Sequence, residues 1–462
     1  MPAWPQRWRE QPTAIANMSS ISKHKNSVTN LDEEPQRRLR IAWIGTPTPG
    51  GGVGGFGRQL IEGLAEVPHE IVVFALGDSK IEERLGWANK RVEFVYAPID
   101  WDWGRWYSRS DIAVFISSFW SRMRGYNKLI GMLEEAHREQ PFDVAIQFSQ
   151  TELFSTRKRL SHLPPLILFP CVHAAGELYF HNKEKRLSSR CESRFKYWLV
   201  NLNLRQRSFL QKRAYSAVYG VIGMSRRFNE WVRKDYGIAA ENQAVIYQPI
   251  PEVIDLRNDR NFSGGPSDST KDRIRLLYVG RISVRKGVEM LVELSHHLDD
   301  LSGKVELVIL GAHSSWSNYV PLLKGLNPRV GKFIGHLPHA ETLDEMRKAD
   351  FLLVPSHYEP GGIVVAEAMR MGCAVLASDQ VGSAENLPES VCCRFPAGNI
   401  DEFERIVRDA VRKKLCGEAT GRSEVIDQAN QWFSLERSIN KLTAICRRAA
   451  DRKPICESIS RL

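Results

Sequence analysis

The chain has no stretch of about 18 consecutive apolar residues, the length a membrane-spanning helix needs. Its longest apolar stretch, Leu163 to Gly176, is interrupted by prolines, Cys171 and His173. A helical integral membrane protein is therefore excluded. The first 38 residues carry arginine, proline, serine and asparagine but no apolar core, so 1–38 reads as a flexible tail rather than a secretory leader. None of the eight cysteines forms a CxxC pair, and the adjacent Cys392 and Cys393 cannot join in a relaxed disulfide. With no zinc spacing and no leader, reduced thiols in a cytoplasmic protein are expected. No short repeat recurs, which removes solenoids and propellers. Asp100-Trp101-Asp102 runs on into an aromatic, basic stretch, and no metal site is expected. What remains is 462 residues, 43% hydrophobic and 26% charged, enough for two or three domains and too apolar for disorder.

Net charge is confined to one place, since the rest of the chain balances its cations and anions. Lys183 to Asp235 holds fourteen cations against four anions, which is the whole of the chain's +10. A local excess of this kind points to an anionic partner. Phe195, Trp198 and Phe209 stand among those cations. Two readings stay open: an internal helix with a solvated basic face, and a helix lying on an anionic membrane surface. Nucleic acid is not expected, because no recognised binding module accompanies the charge.

Short β-branched runs alternate with amphipathic stretches from Leu39 onward. Strands are expected at Leu39 to Ile44, Glu70 to Leu76, Arg91 to Ala97, Phe142 to Phe148, Leu166 to Pro170, Tyr219 to Ile222 and Ala244 to Tyr247. Helices are expected at Gly57 to Val67 and Tyr126 to Glu139. Near-continuous apolar strands separated by helices mark a parallel, doubly wound sheet. Residues 251–272 are rich in Pro, Gly, Ser and Asp without periodicity and read as a linker. The alternation then restarts, with strands at Ile274 to Gly280, Val305 to Leu310, Lys332 to Gly335, Phe351 to Pro355, Ala374 to Ser378 and Val391 to Phe395. Two Rossmann-like α/β domains are expected, 39–250 and 273–427, followed by a helical segment, 428–462.

Three clusters could carry chemistry. The first is the loop after strand one, TPTPGGGVGGFG, whose glycines let backbone approach a ligand at a helix N-terminus. Gly52-Val53-Gly54-Gly55-Phe56-Gly57 fits the dinucleotide spacing, and Asp78 follows about 20 residues on. The loop from Gly45 is too long for that fingerprint's tight turn, and Asp78 follows Gly77 instead of ending the strand. A phosphate or sugar loop, an NAD-binding oxidoreductase and a plain turn all stay open. In the second cluster Arg281 stands just past a strand end and Lys286 at a helix start, where two cations could neutralise a diphosphate. The alternative there is a solvated basic turn.

The third cluster runs from Ser356 to Met369. Glu359 and Glu367 are eight residues apart, about 12 Å of rise if both lie on one helix. That is too far for a glycosidase pair and suits two ends of an extended ligand. Glu367 sits in an apolar helix start and needs donors, which sugar or ribose hydroxyls would supply. The amides of Gly361, Gly362 and Ile363 can donate to phosphate. Two surface glutamates flanking a turn is the other reading.

The set of GGVG, VGR…KG and E-P-G-G-x4-E resembles the retaining glycosyltransferases of family 4, from about residue 39 to the end. The resemblance implies the GT-B architecture, two Rossmann-like domains facing a central cleft. It implies a nucleotide-diphosphate sugar as donor, no cofactor, and a glycan or lipid-linked acceptor. It gives Arg281 and Lys286 to the diphosphate, Glu367 to the ribose and Glu359 to the sugar's hydroxyls as a catalytic group. Gly52 and Gly54 would lie against the phosphate or sugar, and Gly382 and Glu385 near the site. His173, just past a strand end, matches a histidine that faces the donor sugar. The thiols point to the cytoplasm, and the membrane reading of 183–235 would place the protein at the inner face of a membrane. A catalytically inactive GT-B membrane-binding scaffold is the remaining alternative.

Overall fold

The computed structural model describes residues 37–47, 53–77, 81–82, 91–98, 111–149, 162–188, 191, 193–250, 273–313 and 318–456. Seven strands form a first sheet: β1 (Arg40–Ile44), β2 (Glu70–Leu76), β3 (Val92–Ala97), β4 (Val144–Ser149), β5 (Leu166–Pro170), β6 (Gly220–Gly223) and β7 (Gln243–Val245). Their order is β3-β2-β1-β4-β5-β6-β7, and every pairing is parallel. Six strands form a second sheet: β8 (Ile274–Val279), β9 (Val305–Leu310), β10 (Gly331–Gly335), β11 (Phe351–Val354), β12 (Ala374–Ser378) and β13 (Cys392–Phe395). It is again all parallel, ordered β10-β9-β8-β11-β12-β13. Each order reverses once, between β1 and β4 and between β8 and β11. Such switch points open a crevice at the strands' carboxyl ends, where α/β sheets take ligands.

Parallel sheets need cover on both faces, and the strand sequences supply it. In the first sheet Ile41, Trp43, Val73 and Ile146 face one core with Phe56 and Leu60 of α1 (Val53–Glu66). Their neighbours Ala42, Ile44, Val72 and Phe74 face a second core, with Leu129 and Leu133 of α2 (Asp111–Glu139). Phe148 bridges α1 and β5, its ring centroid 5.4 Å from both Phe56 and Phe169 and edge-on to each. Each such pair adds about 0.5–1.5 kcal/mol beyond burial. The remaining helices of this half that bear on the site are α3 (Ala174–Lys183), α4 (Arg194–Tyr215) and α5 (Arg226–Tyr236).

In the second half, α6 (Val288–His297) follows β8, α7 (His339–Lys348) precedes β11, and α8 (Ile363–Arg370) precedes β12. α9 (Ile400–Leu415) follows β13, and α10 (Arg422–Phe433) packs Val425, Ala429 and Phe433 into the second half's core. The domain boundary expected at 427 falls inside α10, which continues to Phe433. At Ser434, whose Oγ accepts from Arg437 N at 3.0 Å, the chain starts α11 (Leu435–Ala450). That helix returns to the first half: Ile439, Leu442, Ile445 and Cys446 are buried in the core that holds α1. At about 1.5–3 kcal/mol for each fully buried aliphatic side chain, this docking is structural, not incidental.

Candidate active site

β8 delivers the chain to the carboxyl edge of the second sheet, where Arg281 is exposed and the Tyr278 hydroxyl donates to its carbonyl at 2.9 Å. A single 3-10 turn, Val284–Lys286, then leads to Gly287 at φ 73°. A Cβ there would stand 2.0 Å from the Pro355 carbonyl oxygen, so only glycine lets this turn close against β11. The turn aims Lys286 at Glu359, and the two form an ion pair with most of both side chains buried. Burial, followed by the neighbouring guanidiniums of Arg285 and Arg281, lowers the Lys286 ammonium well below the ordinary lysine value. The pair expected to hold the diphosphate and the sugar is thus already joined.

Glu359 is not on a helix with Glu367, which corrects the spacing argument made from sequence. Pro360, Gly361 and Gly362 intervene, and α8 starts only at Ile363. The Glu359 backbone instead bridges to Val381, and Gly382 N donates to its carbonyl at 2.9 Å. Ser383 fixes the glycines: its amide donates to Gly361 O and its hydroxyl to Gly362 O, both at 2.8 Å. Gly362 holds φ 97°, and a Cβ would meet Ser383 Oγ at 2.8 Å. The first amides of α8, beginning at Ile363, belong to those a helix leaves without an internal acceptor.

Glu367 lies on α8 and finds its donor inside the protein. Its Oε1 is 3.0 Å from Nε2 of His339, the first residue of α7. The hydrogen bond to Glu367, reinforced by its charge, raises the His339 pKa above 6.5. Nothing local in the sequence marks His339, which lies 28 residues away.

Across the cleft, β5 ends at Pro170 and the chain turns through His173 into α3. His173, the histidine expected to face the donor sugar, is fully buried. Its Nδ1 is 3.0 Å from the Tyr358 hydroxyl and its Nε2 is 3.1 Å from Asp235 Oδ2. Gly176 makes room for this contact, since a Cβ there would sit 2.7 Å from the Tyr358 hydroxyl and 2.8 Å from His173 Nδ1. A buried amide holds the turn: Gln211 Oε1 accepts from Ala174 N at 2.9 Å and from the Tyr236 hydroxyl at 2.8 Å. His173 thus links Asp235 of the first half to Tyr358 of the second at the seam between them.

Three further contacts cross that seam. Arg285 Nη1 is 3.5 Å from Glu177 Oε1, and Ser225 Oγ donates to Pro360 O at 2.8 Å. Glu385, expected near the site as a nucleotide-sugar-binding residue, hydrogen-bonds across the seam. Its two carboxylate oxygens accept from the amides of Arg226 and Arg227 at 2.6 and 3.0 Å, at the start of α5, and Oε1 also takes the Tyr247 hydroxyl at 2.7 Å. A carboxylate at a helix N-terminus is stabilised by the helix dipole, so this is a strut between halves. Gly54 lies in the first turn of α1. Gly52, Asp78, Asp100 to Asp102, the first 36 residues and the linker 251–272 lie outside the described residues. Among the described residues no group of three or more His, Cys, Asp or Glu is placed to hold a metal ion.

Residues 259–430 match the family model described as "Glycosyl transferases group 1". The chain is 30% identical over 140 residues to a glycogen synthase of Mycobacterium tuberculosis, covering 29% of this chain and 34% of that protein. It is 34% identical over 136 residues to a D-inositol 3-phosphate glycosyltransferase of Xylanimonas cellulosilytica, covering 28% of this chain and 31% of the relative. The chain thus spans about a third of the length of these curated relatives. Among solved structures it is similar to sucrose-phosphate synthase of Thermosynechococcus elongatus, at TM-score 0.60 and 16% identity over 89% of this chain and 99% of that one. It is similar also to the Anabaena protein HepE in complex with UDP-glucose, at TM-score 0.54 and 17% identity over 88% and 98%. The fold shared with these structures is the two-domain GT-B arrangement.

Proposed function

We propose that the chain is a retaining glycosyltransferase that moves a hexose from a nucleotide-diphosphate sugar to a hydroxyl of a glycan or lipid-linked acceptor. The observation that carries this reading is the Lys286–Glu359 ion pair, set at the carboxyl edge of the second sheet beside the N-terminus of α8. Lys286 with Arg281 meets the diphosphate charge, helped by the first amides of α8 from Ile363. Glu359, released from Lys286 by the arriving phosphate, accepts hydrogen bonds from the sugar's hydroxyls. Glu367, with His339 behind it, grips the ribose. In the transfer the bond from the anomeric carbon to the phosphate oxygen breaks while the acceptor oxygen bonds to the same face. The leaving phosphate takes the acceptor's proton, and no metal or cofactor takes part. The match over 259–430 to the group 1 glycosyl transferases supports the assignment.

The test is nucleotide-sugar hydrolysis and transfer across a panel of UDP- and GDP-linked hexoses. A donor-dependent rate lost in Glu359→Gln is expected. Absence of turnover with every donor, together with binding of NAD, would replace this reading with the oxidoreductase one. Absence of turnover with retained vesicle binding would leave the inactive scaffold.

A further inference from the structure

We infer that α4 docks on an anionic lipid surface, its outward ridge of Phe195, Trp198, Leu202 and Phe209 entering the interface between cations. The helix has two opposite apolar faces. Leu204, Ala214 and Tyr215 are buried inward, while Phe195, Trp198, Leu202 and Phe209 are 56%, 57%, 44% and 59% exposed. Those four are three, four and seven residues apart, the spacing of a single stripe on a helix. Among the described residues, the only other large apolar side chains this exposed are Tyr179, on the adjacent α3, and Ile334 and Leu415 elsewhere. A surface helix in contact with water alone would carry polar residues on that ridge.

Charge names the occupant. α4 contains no aspartate or glutamate and six cations. Arg194, Arg205, Lys212 and Arg213 are all exposed, and the Arg213 guanidinium lies 5.7 Å from the Phe209 ring centroid. A second copy of the chain is disfavoured, because a two-fold contact would set six cations against six. A single-stranded nucleic acid would use the cations and stack on the aromatic rings, but it would leave Leu202 in water, and no recognised binding module accompanies the helix. An anionic bilayer uses both: headgroups meet the cations and the ridge enters the acyl boundary.

The ridge is one helix away from the cleft. Gln211 of α4 accepts from Ala174 N and donates to Val172 O at 3.3 Å, so the same helix fixes the turn that carries His173. Docking therefore brings the first half's side of the cleft to a lipid surface, where a lipid-linked acceptor would be presented. This last step rests on the glycosyl-transfer reading; the docking itself does not.

The experiment is co-sedimentation of the full chain with phosphatidylcholine vesicles, with and without phosphatidylglycerol, at low and high salt and without nucleotide sugar. Binding is expected only with the anionic lipid and only at low salt. Neutralising Arg205, Lys212 and Arg213 together to glutamine should lower the partition coefficient about 100-fold. Trp198→Ser with Phe209→Ser should lower it about tenfold or more, with circular dichroism unchanged. Nucleoside-diphosphate affinity, measured on the same preparations, should not move in either variant, so failure of docking and failure of the transfer reading are separable. No binding to anionic vesicles at low salt would overturn the inference. So would wild-type binding by both variants, a salt-sensitive dimer lost in Trp198→Ser with Phe209→Ser, or tighter binding to RNA than to vesicles.

Discussion

Because Lys286 is tied to Glu359 in the unliganded protein, the two residues should move nucleotide affinity in opposite directions. Lys286→Ala removes charge-assisted bonds to the diphosphate, worth about 1.5–3 kcal/mol, or roughly 10- to 150-fold in affinity. Glu359→Gln removes the carboxylate that competes with the phosphate for the same ammonium. A neutral amide holds that ammonium about 1 kcal/mol less firmly, so the nucleoside diphosphate should bind roughly fivefold tighter while turnover is lost. Stability should show the reverse side of the same exchange. The two side chains are only 17% and 12% exposed, so a lone Lys286 cation is costly. Breaking a fully buried pair costs about 3–5 kcal/mol; the residual exposure here brings the expectation for Glu359→Gln to about 2–3 kcal/mol. UDP or GDP should restore part of that loss, in proportion to the logarithm of its concentration over Kd. Isothermal titration calorimetry reads the affinities, and urea unfolding at constant m-value reads the stability. Unchanged UDP and GDP affinity in Lys286→Ala would take Lys286 out of the site. Weaker binding in Glu359→Gln would show that the two residues hold the ligand together and do not compete for it.

The sheets were readable before the structure because both are parallel and covered on both faces. Such strands are nearly continuous apolar runs, and Leu166 to Pro170, Val305 to Leu310 and Ala374 to Ser378 are found with the limits expected for them. Helix limits were less readable. α2 begins at Asp111 and not near Tyr126, because its first half carries apolar residues without a clean helical period. Pro360-Gly361-Gly362 is strong punctuation that excludes a helix running through it, and it separates Glu359 from α8. The seam was not readable at all. Tyr358 meets His173 across 185 positions, and Ser225 reaches Pro360 across 135. Contacts between two separately wound sheets leave no period or spacing in the chain. For the same reason α11 reads plainly as an amphipathic helix, while the core it fills, beneath α1, is invisible in its own sequence.

The burial of the thiols predicts their order of reaction. Burial pushes Cys392 and Cys446 up to about 12, whereas Cys416 is exposed, so a thiol reagent at neutral pH should label Cys416 first. Labelling of Cys392 in the native protein would contradict the packing of β13. His339 is raised by Glu367, and a raised histidine contributes stability that is fully present below its ordinary 6.5 and lost as pH climbs through the raised value. The Tm difference between wild type and His339→Gln should therefore shrink from about pH 6 to about pH 9; a difference flat across that window would remove the pairing. The seam gives the last prediction, through Gly176. In most helices alanine is better than glycine by about 0.5–1 kcal/mol, and Gly131→Ala in α2, where a Cβ meets nothing within 4 Å, should gain that amount. Gly176→Ala should lose stability instead. Its Cβ would sit 2.7 Å from the Tyr358 hydroxyl and 2.8 Å from His173 Nδ1, and neither has room to yield. Tyr358 is stacked on Phe180 at 5.1 Å, and the His173 ring stands edge-on to Tyr236 at 5.1 Å. Overpacking of this kind costs about 1–3 kcal/mol, which exceeds the helix gain. Urea midpoints for the two alanine variants should therefore move in opposite directions. If Gly176→Ala gains as much as Gly131→Ala, Tyr358 is free to withdraw from His173, and the two halves stand apart in solution.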